Sequence, residues 1–186
     1  MMKRVVVTGL GLKSPIGNNY DEIINSLKTS YCSIDKITSY NTDDREVSLA
    51  SEIKDFVPED YIDKKLIRRL DRVNQLGIAA ATEALKDSGL DKINFNRNRT
   101  GVYISSGIGG LETIEREHNR GIKRGYDKIS PFFIPMSITN LTAADIAITL
   151  ELHGSCQCPV TACAGSTDAI GQAYRAIKHG YEDIIF

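Results

Sequence analysis

Two kinds of hydrophobic pattern alternate along the chain. Short β-branched or apolar runs give way to stretches in which apolar residues return every three or four positions. Arg4 to Thr8 is the first short run, and Gly9-Leu10-Gly11 closes it, so the segment predicts a buried strand and a turn. Asn19 caps a predicted helix over 20–27, with Asp21 and Glu22 in its first turn. Between 30 and 60 the pattern is mixed: Asp43-Asp44-Arg45 marks a turn and Val47 to Ile53 an edge strand. From Ile62 the helical period is clear, with Leu66, Leu70, Val73, Gly77, Ala80 and Ala84 on one face and Gly89 as the stop. That stretch predicts two helices, or one kinked near Gly77.

Thr100 to Ser105 predicts a second strand, ended by Ser106-Gly107-Ile108-Gly109-Gly110. Leu111 to Glu117 predicts a helix and Gly121 to Gly125 a loop, while Pro131 and Pro135 predict extended chain over Phe132-Phe133-Ile134. A helix over 140–152, a strand over 156–161 and a helix over 162–179 follow, the last with Ile170, Ala173 and Ile177 on one face and Gly180 after it. Asp183-Ile184-Ile185-Phe186 opens a fourth strand. The order βαβαβαβ predicts an α/β fold in which helices cover a mostly parallel sheet. A strand that opens without a turn or cap to close it reads as part of something longer: a fragment, a split-gene product or a shortened chain.

Composition narrows the class. The 186 residues are enough for one domain with a sizeable core. With 41% hydrophobic and 25% charged residues, disorder and fibrous repeats are excluded. A net charge of −1 argues against nucleic acid or an anionic membrane as partner. No apolar run approaches the roughly 18 residues of a membrane span, and the basic start lacks a signal-type apolar core. These features predict a cytoplasmic protein.

Of the four cysteines, Cys156, Cys158 and Cys163 fall close together. In a reducing compartment such a cluster points to metal or catalysis before disulfides. With His153 they offer four zinc ligands, but Cys-x-Cys is tighter than the usual knuckle spacing. A strand there would also turn Cys156 and Cys158 to one side as small packing residues, so no metal is expected. Gly9-x-Gly11 invites a dinucleotide-binding reading, yet Ser14 and Pro15 stand where the third glycine belongs and no acidic residue closes a second strand. A structural turn is the simpler account.

Val160-Thr161-Ala162-Cys163-Ala164-Gly165-Ser166 carries the sharper signal. A cysteine sits where a short strand turns into a helix of small residues. The helix N-terminus offers free N–H groups and about half a positive charge, which favour thiolate over thiol. Ala162, Ala164 and Gly165 leave room for an acyl group, and backbone N–H groups at the turn could hold an oxyanion. The alternative is a buried, inert cysteine at a tight turn.

The same segment, with Asp168-Ala169-Ile170-Gly171-Gln172-Ala173, resembles the nucleophile region of the β-ketoacyl-acyl-carrier-protein synthases, the condensing enzymes of bacterial type II fatty acid synthesis. Val5-Val6-Val7-Thr8-Gly9-Leu10-Gly11 with Pro15-Ile16-Gly17, then Arg69-Leu70-Asp71-Arg72 with Ala79 to Leu85, also resemble family blocks. So do Ser106 to Gly110 and Pro131 to Pro135, all in the family's order. The resemblance implies a thiolase-like fold of two similar βαβαβαββ halves. Residues 1–186 would be the first half, ending within its fourth core strand. It implies a homodimer in which the strand over about 157–160 pairs with its twin, covering a bare edge.

Cys163 is implied as the acyl-accepting nucleophile, with an acyl carrier protein supplying acyl and malonyl groups and no cofactor required. The condensation step would use two histidines of the other half, since His118, His153 and His179 lie outside those motifs, so residues 1–186 alone are expected to be inactive or at best slow in acyl transfer. Ile108, Phe133 and Ile134 match acyl-pocket positions, the last two reaching in from the partner subunit; ordinary core packing is the alternative. Lys65, Arg68, Arg69 and Arg72 form a basic stripe that suits an acidic carrier protein, or else a solvated helix face. A non-catalytic dimerisation or carrier-binding half from a split gene is the competing function. Two departures stand out: Gly165 and Ser166 reverse the family's hydroxyl-then-glycine order, and Leu152-His153-Gly154-Ser155 replaces a glycine-proline lead-in.

Overall fold

The computed structural model describes residues 3–186. A strand whose every residue is buried needs cover on both faces, and β3 (Thr100–Tyr103) is such a strand. It lies at the centre of a three-stranded parallel sheet, between β4 (Cys156–Gln157) and β5 (Ile184–Ile185). Val102 pairs with Cys156 and Thr100 with Ile184. Gly101 is bare for a reason: a Cβ there would stand 2.6 Å from the Ser155 carbonyl oxygen.

Successive strand residues face opposite ways, so Val102 and Tyr103 open two cores. Val102 joins Ile62, Ile78, Ala143, Ile146, Leu150 and Leu152, a cluster built by α3 (Arg72–Asp87) against α6 (Leu141–Thr149). Tyr103 joins Ala169 and Ala176 of α7 (Gly165–Lys178). Asn74 and Asp145 meet inside the α3–α6 contact at 2.5 Å, and Thr142 donates to Asn74 Oδ1 at 3.1 Å. Burial pushes the Asp145 carboxyl above its ordinary range, against the pull of Asn74. Away from this sheet, α1 (Tyr20–Lys28) is capped by Asn19 as expected, and β1 (Ile34–Lys36) pairs antiparallel with β2 (Leu49–Ser51). No helix among the described residues is long and apolar enough to cross a membrane.

Several expectations need correction. Arg4 to Thr8 forms no ladder among the described residues. It runs extended beside an open slot of about 500 Å³ lined by Val5 to Gly11 on one rim and Ile184 to Phe186 on the other. Val7 is 81% exposed there. Gly9 and Gly11 exist for close packing rather than a phosphate turn. A Cβ on Gly11 would overlap the Ala80 carbonyl, and one on Gly9 would sit 2.9 Å from Ser88 Cβ. Beyond them the Lys13 ammonium is sealed in, pairing with Glu83 and donating to Tyr61 Oη and the Asn18 carbonyl.

Of the two readings of the long helical stretch, two helices is the one found, with the break at 68–71 and no kink at Gly77. Asp63 caps α2 (Lys64–Ile67), and Asp71 caps α3. Gly77 stays helical because its bare face receives the Thr142 methyl. Helix α4 (Leu111–Arg124) runs on through Gly121, whose bare face meets the Tyr126 ring. Phe133 to Ser137 is a short helix, α5, rather than extended chain. Pro135 is its third residue, where a backbone N–H would have no intrahelical acceptor, so the proline costs nothing. The strand predicted over 156–161 is two residues long. Ile104 N–H still donates to the Gln157 carbonyl at 3.1 Å, after which Pro159 has no N–H to continue the ladder.

Gly11→Ala tests the close approach: it should cost about 1–3 kcal/mol by overpacking, read as a lower urea midpoint. An unchanged midpoint would contradict the packing described.

Candidate active site

Cys163 stands on a single 3₁₀ turn, Ala162–Ala164, that feeds directly into α7. Ala162 holds φ at 49°, a left-handed conformation that costs an alanine about 1–2 kcal/mol. The Ala164 N–H donates to the Thr161 carbonyl at 3.1 Å and closes the turn. Strain of this kind marks the entry to the turn, and the cysteine that follows lies exposed at the surface. No side chain caps α7; its first N–H, that of Gly165, donates back to the Ala162 carbonyl and joins the turn to the helix. The Asp168 carboxylate of that first turn is engaged with Gln172 Nε2 at 3.1 Å.

The turn is pinned from beneath. Ser105, just past β3, donates from Oγ to the Pro159 carbonyl at 2.7 Å. Gly165 is buried against that hydroxyl, and a Cβ there would overlap it. The reversed Gly165-Ser166 order thus has a local cause: the residue facing Ser105 must be bare, and Ser166 lies exposed.

The other cysteines are placed differently. Cys156 belongs to edge strand β4, and desolvation, aided by the neighbouring Cys158, pushes its thiol above the ordinary range. The expected packing role is only partly met, since Cys156 is exposed and Cys158 half-buried. Among the described residues no three His, Cys, Asp or Glu side chains converge into a metal-holding group.

Ile108 lies in the loop between β3 and α4 and is 60% exposed; Ile134, on α5, is 56% exposed. Phe133 begins α5 and is half-buried. The loop and α5 are joined by the Gly110 N–H donating to the Ser137 carbonyl at 3.0 Å, so the structure brings these elements together. Lys65 lies on α2 and Arg68 just beyond it, both exposed, and neither enters an ion pair among the described residues. Arg69 is turned to another use, its guanidinium 4.8 Å above the Phe132 ring. Arg72 donates to the Ile53 carbonyl at 2.9 Å and faces Phe56. His118 lies on α4, His153 just before β4, and His179 at the end of α7. Sequence reasoning missed Ser105 and the buried Asp71. An aspartate directly before a helical run was a readable capping signal; Ser105 carried none.

A short strand, a strained turn bearing an exposed cysteine and a helix of small residues make up the candidate site. The profile of the β-ketoacyl synthase N-terminal domain matches residues 2–186. A 3-oxoacyl-[acyl-carrier-protein] synthase 2 from Staphylococcus aureus (strain N315) is 44% identical over 181 residues, covering 97% of this chain and 44% of the relative. The enzyme of the same name from Synechocystis is 37% identical over 179 residues, covering 96% and 43%. A β-ketoacyl synthase structure from Burkholderia phymatum superposes with a TM-score of 0.81 at 28% identity, over 97% of this chain and 45% of that one. A type II polyketide ketosynthase solved in complex with its acyl-carrier protein also gives 0.81 at 28% identity, over 98% and 49%. The chain belongs to the β-ketoacyl synthase family and has its thiolase-like ketosynthase fold. It spans 44% of the length of the Staphylococcus relative.

Ala162→Gly checks the strained turn. Relief of the left-handed alanine outweighs the extra freedom of glycine in the unfolded chain by about 0.5–1 kcal/mol. The urea midpoint should rise; a fall would show that the turn carries no such strain.

Proposed function

We propose that Cys163 is the acyl-accepting nucleophile of a 3-oxoacyl-acyl-carrier-protein synthase, and that residues 1–186 are the first half of its condensing domain. The observation that carries this is the exposed sulfur on a strained turn at the uncapped start of α7. Its sulfur attacks the thioester carbonyl of an acyl carrier protein. A new thioester forms as the old one breaks, and the carrier leaves as its thiol. Backbone N–H groups at the turn stabilise the oxyanion formed on the way. Malonyl-carrier protein then loses carbon dioxide, its carbanion attacks the acyl carbonyl, and the Cys163–acyl bond breaks to return the sulfur. The histidines for that second step belong to the other half of the domain.

The open slot beside Val5 to Gly11 supports the half-domain reading. It has unpaired extended chain on one rim and an unpaired strand edge on the other, and further secondary structure of the same domain would fill it. Ile108 of one protomer, with Phe133 and Ile134 reaching across from its partner, forms the acyl-pocket wall, which fits the exposure of the two isoleucines. Lys65 and Arg68 steer the acidic carrier protein, with Arg69 contributing less because of its seat on Phe132. The exposed edge of β4 supports a homodimer through 157–160. The enzyme works in the cytoplasm, where its carrier protein is found.

Incubation with acyl carrier protein loaded with a saturated acyl chain tests the reading by intact mass. The complete enzyme should gain one acyl mass, mapped to Cys163 and absent in Cys163→Ala. No gain, or a gain that survives the substitution, would contradict the assignment and favour a non-catalytic carrier-binding half.

A further inference from the structure

Asp71 is buried, 5% exposed, and no lysine or arginine side chain pairs with it among the described residues. Its Oδ1 accepts from the Val73 N–H at 3.1 Å and caps α3. Its Oδ2 crosses to another element and accepts from the Thr113 N–H at 2.9 Å, in the first turn of α4. Helix α4 has no cap of its own, because its cap position is Gly110. One carboxylate therefore serves two helix N-termini, whose dipoles supply the positive environment a cation would otherwise give. Gly110 makes the reach possible: a Cβ there would lie 2.9 Å from Asp71 Oδ2 and overlap the Met136 carbonyl.

The connection matters because of what lies on either side of it. The loop that ends at Gly110 carries Ile108. It is closed by the Gly109 N–H donating to Ser106 Oγ at 2.9 Å, and it is tied to α5 by the Gly110 N–H on the Ser137 carbonyl. Two residues before Asp71, Arg69 stacks on Phe132, directly preceding Phe133. The segment 69–71 thus grips both elements to which Ile108, Phe133 and Ile134 belong, and it follows immediately on α2 with its basic residues.

We propose that Asp71 is a positioning residue for acyl selection: by capping α4 across the Gly110 gap it fixes the Ile108 loop of its own pocket against α5, which carries Phe133 and Ile134 into the partner's pocket. The proposal rests on the reading of those residues as the acyl-pocket wall. Asp71→Asn is isosteric but turns an NH₂ group toward one of the two N–H donors it must serve. Asp71→Ser keeps a short cap on α3 and cannot reach Thr113.

Both variants are tested in the complete protein by acyl loading of Cys163 from short-chain and long-chain acyl carrier proteins, with iodoacetamide alkylation of Cys163 alongside. The expected result is alkylation within twofold of wild type, while the long-to-short ratio of kcat/KM shifts at least fivefold, chiefly through KM. A ratio within twofold of wild type in both variants would overturn the proposal. So would equal losses of alkylation and loading, or failure of both variants to fold, since either marks Asp71 as a stability residue only. If wild-type protein takes no acyl group at all, the nucleophile reading itself falls, and the Asp71 proposal with it.

Discussion

The candidate site depends on a missing side chain. Helix α7 begins against the end of β3, with Gly165 buried on the Ser105 hydroxyl and that hydroxyl committed to the Pro159 carbonyl. A Cβ at 165 would displace the Ser105 hydroxyl from the Pro159 carbonyl, so the helix keeps this close, hydrogen-bonded approach to the sheet only with glycine there. The strained Ala162 and the exposed Cys163 sit on the single 3₁₀ turn by which the chain enters α7 at that close approach. Backbone strain of this kind persists only where surrounding packing over-determines it.

The same economy recurs elsewhere. Gly11 against Ala80, Gly77 against Thr142 and Gly110 against Asp71 are approaches in which one element has given up its Cβ to another. They draw α3 into the centre of the molecule, in contact with the N-terminal segment, α6 and the loop before α4. Interiors packed this closely transmit displacement rather than absorb it. The loop bearing Ile108 and the helix bearing Phe133 are joined in this way through Gly110, which lies against Asp71 and donates to Ser137.

Much of the architecture was legible because burial writes its period into sequence. The strands over β3 and β5 and the helices α1, α3 and α7 follow directly from apolar spacing and caps. The segment over 4–8 has the composition of a buried strand, yet it lies unpaired at an open slot; composition registers burial, not which neighbour supplies the ladder. Pro135 misled for a different reason, since a proline near the first turn of a helix looks, in sequence, like one that forbids it. At the site, the strand–cysteine–helix signal located Cys163. The hydroxyl beneath it and the two-way reach of Asp71 depend on long-range approach and leave no local pattern.

Rate of alkylation of Cys163 by iodoacetamide in Gly165→Ala, against wild type at neutral pH, is the most direct measurement of the central claim. If the bare contact with Ser105 holds the sulfur at the head of α7, the methyl should displace the turn and slow Cys163 at least tenfold, with the helical circular dichroism retained. A folded Gly165→Ala protein in which Cys163 reacts at the wild-type rate would contradict the account.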